Sequence, residues 1–195
     1  MRIIAGELRS RIIQAPKGME TRPTLDRTRE SLFNIIAARC FQSKVLDLYA
    51  GSGALAFEAV SRGAAGAVLC DASREAARVI RQNIASLGLE GCCRLLFMRD
   101  ARAVGLLGEE RERFDLVFLD PPYRMDIAPA CSMMLKAGIL EDGALIVAEH
   151  ASVSEPHLPD CFALTDCRKY RETVISFYVY GGKDCEQSTG VSGQL

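Results

Sequence analysis

From Val45 onward the chain repeats one pattern that leaves few folds open: a short apolar run, a turn, then a stretch with helical spacing. The apolar runs are Val45 to Tyr49, Ala67 to Cys70, Cys93 to Met98, Asp115 to Leu119 and Ala144 to Glu149. Between them lie a segment reaching Arg62, the segment Ser73 to Leu87, a shorter one after Met98, and Ile127 to Ala137. In the second of these, Ala76, Ala77, Ile80, Ile84 and Leu87 share one helical face. Strands that are apolar throughout are buried on both sides, and helices between consecutive strands supply the cover. The rhythm changes once. Phe162 to Tyr170 and Thr173 to Tyr180 are separated only by Arg171-Glu172, far less than the dozen or so residues a parallel crossover needs. They pair as an antiparallel hairpin. The expected fold is α/β, a doubly wound, mostly parallel, Rossmann-like sheet of seven strands that ends in this hairpin.

The segment before Val45 reads differently. Residues 2 to 5 and 11 to 14 flank the connection Gly6 to Ser10 and read as a hairpin. Pro16, Gly18 and Pro23 mark a loop, and a helix over 26 to 39 starts at Asp26 as N-cap, with Leu32, Phe33, Ile35 and Ile36 at helical spacing. Residues 1 to 44 carry nine Lys or Arg against four acids, a net +5, inside a chain whose overall charge is -1. A basic segment on an acidic body suits a polyanion, since clustered Arg and Lys gain from counterion release, although charge alone fits a solvated surface equally well. The division expected is a basic extension over 1–43, a ligand-binding body over 44–180, and a polar, disordered tail over 181–195. No apolar run approaches the roughly 18 residues of a membrane helix, and Arg2, Glu7, Arg9 and Arg11 interrupt any leader-like core, so a cytoplasmic protein is expected. The eight cysteines show no C-x-x-C spacing and read mostly as small buried hydrophobes.

Three constellations carry chemistry. The first is the loop Asp47-Leu48-Tyr49-Ala50-Gly51-Ser52-Gly53-Ala54-Leu55-Ala56, where the first strand meets its helix. Glycines there allow close approach of a ligand, and Gly51-x-Gly53-x-x-Ala56 also satisfies a dinucleotide fingerprint. Asp47 shifts the balance: an acid at that strand end would face the pyrophosphate of a dinucleotide, whereas it attracts the ammonium group of a zwitterionic cofactor. A cap or turn role for Asp47 is the structural alternative. The second constellation is Asp71 and Asp100, acids at the next two strand ends, able to take ribose hydroxyls and an adenine amine respectively. The third is Asp120-Pro121-Pro122-Tyr123 after the most apolar strand. Two prolines remove two backbone donors, so the turn offers acceptors to an amino group, and the Tyr123 ring gives a base a face to stack on.

Five parallel strands closed by an antiparallel pair, with the Asp47–Gly53 loop and Asp-Pro-Pro-Tyr, resemble the class I amino-methyltransferases acting on nucleobases. Met1-Arg2-Ile3-Ile4-Ala5-Gly6, Arg22-Pro23-Thr24, Asp26 through Asn34 and Asp47 through Ala64 narrow this to a resemblance to the RsmD family, covering roughly residues 1 to 180. Tyr49 and Ala56 stand where that family's pattern has Phe and Gly. The resemblance implies S-adenosylmethionine as methyl donor, S-adenosylhomocysteine as product, and the exocyclic N2 of one guanine in 16S ribosomal RNA as target, in naked RNA or an assembling small subunit. It implies cofactor contacts at Asp47, Gly51, Ser52, Gly53, Asp71 and Asp100, and a catalytic turn of Asp120, Pro121, Pro122 and Tyr123. Arg22 and Thr24 would lie near the mouth, and Arg2, Arg9, Arg11, Lys17, Arg22, Arg27 and Arg29 would face RNA, with Arg27 or Arg29 also able to pair with Glu30. The expected reaction is in-line transfer to an unpaired or flipped-out base by a monomer, with no metal and no covalent enzyme intermediate. Two other classes remain open on the residues alone. A nucleotide-dependent oxidoreductase uses the glycine loop but leaves Asp120-Pro121-Pro122-Tyr123 without a role, and a non-catalytic RNA-binding protein would bind without transferring methyl.

Overall fold

A computed structural model describes residues 1–16, 23–121, 125–151, 156–170 and 173–182. Its centre is a seven-stranded sheet in the order β3-β2-β1-β4-β5-β7-β6. The strands are β1 (Lys44–Asp47), β2 (Gly66–Asp71), β3 (Cys93–Phe97), β4 (Phe114–Leu119), β5 (Leu140–Ala151), β6 (Phe162–Tyr170) and β7 (Thr173–Tyr180). The first five run parallel, and β7 lies antiparallel between β5 and β6. Thr173 pairs with Tyr170, as two intervening residues require.

Alternation along the central strands builds two cores. Val45, Leu116 and Phe118 face one side, with Phe33, Phe57 and Ile80. Leu46, Val117 and Leu119 face the other, with Leu107, Cys131 and Met134. The first side is covered by α1 (Pro23–Ile35), the short α2 (Ala37–Cys40), α3 (Ala54–Ser61) and α4 (Arg74–Leu87); the second by α5 (Asp100–Glu109) and α6 (Ala128–Ala137). Cover therefore changes side between the β3 and β4 connections, and the crevice that opens at such a switch, between the carboxyl ends of β1 and β4, is where doubly wound sheets bind ligands.

Local chemistry explains where elements begin and end. Ser73 caps α4 by accepting from Ala76 N at 3.3 Å, and Gly88 ends the helix in the left-handed region at φ 72°. Two expectations shift. Helix α1 begins at Pro23, a favoured first helical residue, rather than being capped by Asp26, and the helix expected over 26 to 39 is split at Ile36. The N-terminal hairpin reduces to one antiparallel bridge, Arg2 with Ile12, flanked by Ile3 N to Arg11 O (3.0 Å) and Ile13 N to Met1 O (3.0 Å). Ile3 and Ile13 bury themselves under α1 and against α3, so packing and not ladder length holds this segment. Of the seven cysteines described, Cys40, Cys70, Cys93, Cys131 and Cys161 are buried. The tail expected to be disordered lies, from 183 on, outside the described residues.

Candidate active site

The strand ends converge on the switch point. Asp47 ends β1 with 2% of its surface exposed, and its carboxylate accepts from the Ala56 backbone in the first turn of α3. Its ionic neighbours are Asp120 and Asp71. Burial, with repulsion from these two acids, pushes Asp47 up to about 8. Asp120 follows β4 and keeps contact with solvent at the rim, yet the protein around it thins its hydration and moves it up to about 6.

Loop geometry is fixed from below. Gly51 and Gly53 have φ 55° and 81°, a region that side chains strain to occupy. A Cβ on Gly53 would meet Phe57 at 2.4 Å and Leu69 at 2.8 Å, so this glycine is required by the core beneath the loop as well as by its backbone turn. Asp71 closes the loop against β2: Oδ2 accepts from Gly51 N at 2.9 Å and Oδ1 from Ser73 N at 2.7 Å. Each oxygen keeps a lone pair, and the two point the same carboxylate at a pair of neighbouring hydroxyls. Asp100 is held likewise, with Oδ1 accepting from Ala101 N and Oδ2 from the Tyr49 hydroxyl, both at 2.8 Å. Burial and this hydrogen bond raise the Tyr49 phenol, which stays a donor.

A further acid belongs to the cluster. Glu149, near the end of β5, is raised to about 7 by burial and then by Asp120, against a hydrogen bond from Thr173. It ends the fifth apolar run just as Asp47 and Asp71 end theirs, so the strand-end logic that singled out those acids applied to it too.

Comparison with known proteins places this arrangement. Residues 1–179 match a family model described as "Conserved hypothetical protein 95". The Ribosomal RNA small subunit methyltransferase D of Escherichia coli (strain K12) is 38% identical over 150 residues, 76% of this chain and 74% of that protein. The chain belongs to the RsmD family. The solved structure of Escherichia coli yhhF superposes with a TM-score of 0.84 at 32% identity, covering 94% of this chain and 99% of that one. The fold alone is shared, at 14% identity and a TM-score of 0.67, with SMU.776 complexed with SAH, over 82% of this chain and 50% of that one.

In this RsmD-family chain the candidate residues divide. Asp47, Gly51, Gly53, Asp71, Asp100, Asp120 and Pro121 all lie at the carboxyl edge of the parallel strands. Pro122, Tyr123, Lys17 and Arg22 lie outside the described residues, and Thr24 falls in the first turn of α1. Ser52 sits in the same loop, its hydroxyl donating to Met1 Sδ at 3.5 Å and its carbonyl accepting from Asn83 Nδ2 at 3.0 Å, contacts that hold the loop in place. Arg29, expected to face RNA, is buried instead. Only 7% exposed, it donates through Nη2 to the Arg2 carbonyl at 2.5 Å, because it shares the inner face of α1 with Leu32 and Phe33 and struts the N-terminal segment. Arg2, Arg9, Arg11 and Arg27 are exposed.

Proposed function

We propose that the protein methylates the exocyclic N2 of a guanine in 16S ribosomal RNA, as a monomer in the cytoplasm. The family match carries this reading, because it runs through residues 1–179 and so spans both the basic segment and the whole acidic crevice. The methyl donor is S-adenosylmethionine, which when bound supplies an activated methyl group on a sulfonium and leaves as the neutral thioether.

The residues present fit that donor. A buried carboxylate whose neighbours are acids is unfavourable until a cation arrives, and Asp47 between Asp120 and Asp71 attracts the ammonium of the methionine moiety, aided by the sulfonium charge. Asp71 takes the ribose hydroxyls, and Asp100, oriented by Tyr49, takes the adenine amine. At the target, the Asp120 carboxylate and the Pro121 carbonyl accept the two N–H bonds of the guanine amine and turn the nitrogen lone pair toward the methyl carbon. Transfer leaves a positive charge on nitrogen. Asp120, ionised above about pH 6, faces that charge and is the nearest acceptor for the proton then released.

The deciding experiment is transfer of radiolabelled methyl from S-adenosylmethionine to total ribosomal RNA of a strain lacking this protein, followed by nucleoside analysis. Label in N2-methylguanosine of 16S RNA is expected. Label on another nucleoside or RNA would move the target, and no label in any RNA would sink the reading.

A further inference from the structure

We propose that the groove between α1 and the end of β6 is a second RNA-contact surface, where the strand flanking the target nucleotide lies. This rests on the reading of the protein as a ribosomal RNA methyltransferase, and extends the RNA-contact surface from the basic N-terminal segment onto β6. The groove encloses about 850 Å³. Arg27 and Asn34 line one wall from α1, and Arg168, Lys169 and Tyr170 line the other from β6.

Topology puts this groove beside the crevice. Strand β5 runs parallel to β4, so both end at the edge that holds Asp120 and Glu149. Ala151 pairs with Thr173 at the start of β7, and Thr173 pairs with Tyr170 at the end of β6. Lys169 and Tyr170 therefore reach the same edge as Asp120. The order β4-β5-β7-β6 separates them by three strand spacings, roughly 14 Å, a distance that a few nucleotides of extended RNA span.

The chemistry of the walls fits a single strand. Among the described lining residues, Arg27, Arg168 and Lys169 bring three cations to one face, against the acid Glu30. Asp166 holds Arg168 through Nε (3.0 Å) and Nη2 (2.9 Å) on one oxygen, which orients the guanidinium and leaves it further donors for phosphate oxygens. The Tyr170 hydroxyl and Ser31 Oγ lie 2.9 Å apart, tying the ring to α1 as a fixed aromatic wall on which an unpaired base can stack. The Asn34 amide is exposed and offers both a donor and an acceptor to a base edge.

The test uses the full chain with Arg27→Ala and Lys169→Ala combined, and Lys169→Glu alone. Binding of a 16S RNA fragment is measured across a salt series, with S-adenosylhomocysteine affinity and thermal melting measured on the same preparations. The double variant should bind RNA about 10-fold more weakly at moderate salt, with the log–log salt slope shallower by about 1.5, as loss of two phosphate contacts requires. Lys169→Glu, which replaces a cation by an anion on the groove wall, should by itself weaken RNA binding relative to wild type. Cofactor affinity and melting should not move. RNA affinity and slope equal to wild type in both variants would overturn the groove while leaving the methyltransferase reading intact. A wild-type protein that neither binds nor methylates ribosomal RNA would overturn both.

Discussion

Among the described residues two carboxylates are almost wholly removed from water, Glu58 and Asp47, and they are treated in opposite ways. Glu58, on α3, accepts from Ile4 N at 2.8 Å and Ala5 N at 3.1 Å, and pairs with Arg62 Nε at 2.8 Å. Its charge is spent on holding the first residues of the chain against the body. Asp47 accepts from the Ala56 backbone and faces Asp120 and Asp71. A buried charge surrounded by donors is part of the fold, whereas one surrounded by like charges is a site set for a cation that folding alone does not supply.

The comparison is tested most severely at Asp120, which crowds Asp47 and is proposed to meet the target amine. Asp120→Asn puts a donor where the amine's own N–H groups must point. Turnover should fall about 100-fold to 1000-fold in single-turnover methylation, with S-adenosylhomocysteine still bound because Asp47, Asp71 and Asp100 remain. In the wild type the same rate should rise with pH through about 6 as Asp120 ionises. A rate within a few-fold of wild type for Asp120→Asn would remove this residue from the reaction.

Parallel amide substitutions at the two buried acids sharpen the contrast. Glu58→Gln turns one acceptor into a donor facing backbone N–H groups and strips Arg62 of its counter-charge, so denaturant unfolding should show a loss of about 2 to 4 kcal/mol. Asp47→Asn should leave stability near wild type at neutral pH while weakening S-adenosylhomocysteine about 10-fold or more. The pH dependence follows with a definite sign. Asp47 is raised from 3.8 to about 8, so between those values the folded protein holds a proton that the unfolded chain has released. The ligand-free protein should therefore lose stability as pH rises across that window, and Asp47→Asn should flatten the loss. Ligand binding in the same window should release protons, seen as a buffer-dependent enthalpy in calorimetry. Equal enthalpies across buffers would mean that the ammonium does not meet Asp47.

These differences bear on what a sequence makes legible. The hairpin of β6 and β7 is readable because two residues, Arg171 and Glu172, permit one geometry, and the parallel core because apolar runs and helical stripes have distinct periods. Strand-end acids are readable because topology alone carries them to one edge. Glu58 is not, since in the sequence it is one acid in a mostly apolar helix and its partners Ile4 and Ala5 lie more than fifty residues away. Arg29 fails for the same reason: a basic residue beside other basic residues reads as surface until α1 is seen to turn it onto the Arg2 carbonyl. Likewise Tyr170 becomes a groove wall only through Ser31, 139 residues away. Local patterns fix elements, and long-range polar partners decide which charges serve the fold.

The smallest effect is expected at Tyr49. Asp100 resembles neither Glu58 nor Asp47: it has one backbone donor, Ala101 N, and one side-chain donor, the Tyr49 hydroxyl, each at 2.8 Å. Together they fix the plane of the carboxylate, so a ligand amine meets an acceptor already turned toward it and the ordering cost is met on folding. Tyr49→Phe keeps the ring in its half-buried place and removes only the hydroxyl. Asp100 then turns freely about its remaining hydrogen bond, and S-adenosylhomocysteine should bind about 2-fold to 10-fold more weakly, as loss of one such contact implies. An analogue whose purine lacks the exocyclic amine should bind wild type and Tyr49→Phe equally, because the hydroxyl acts through Asp100 and Asp100 acts through that amine. Calorimetric titration of both ligands against both proteins separates this from a loss of packing, which would weaken the two ligands alike.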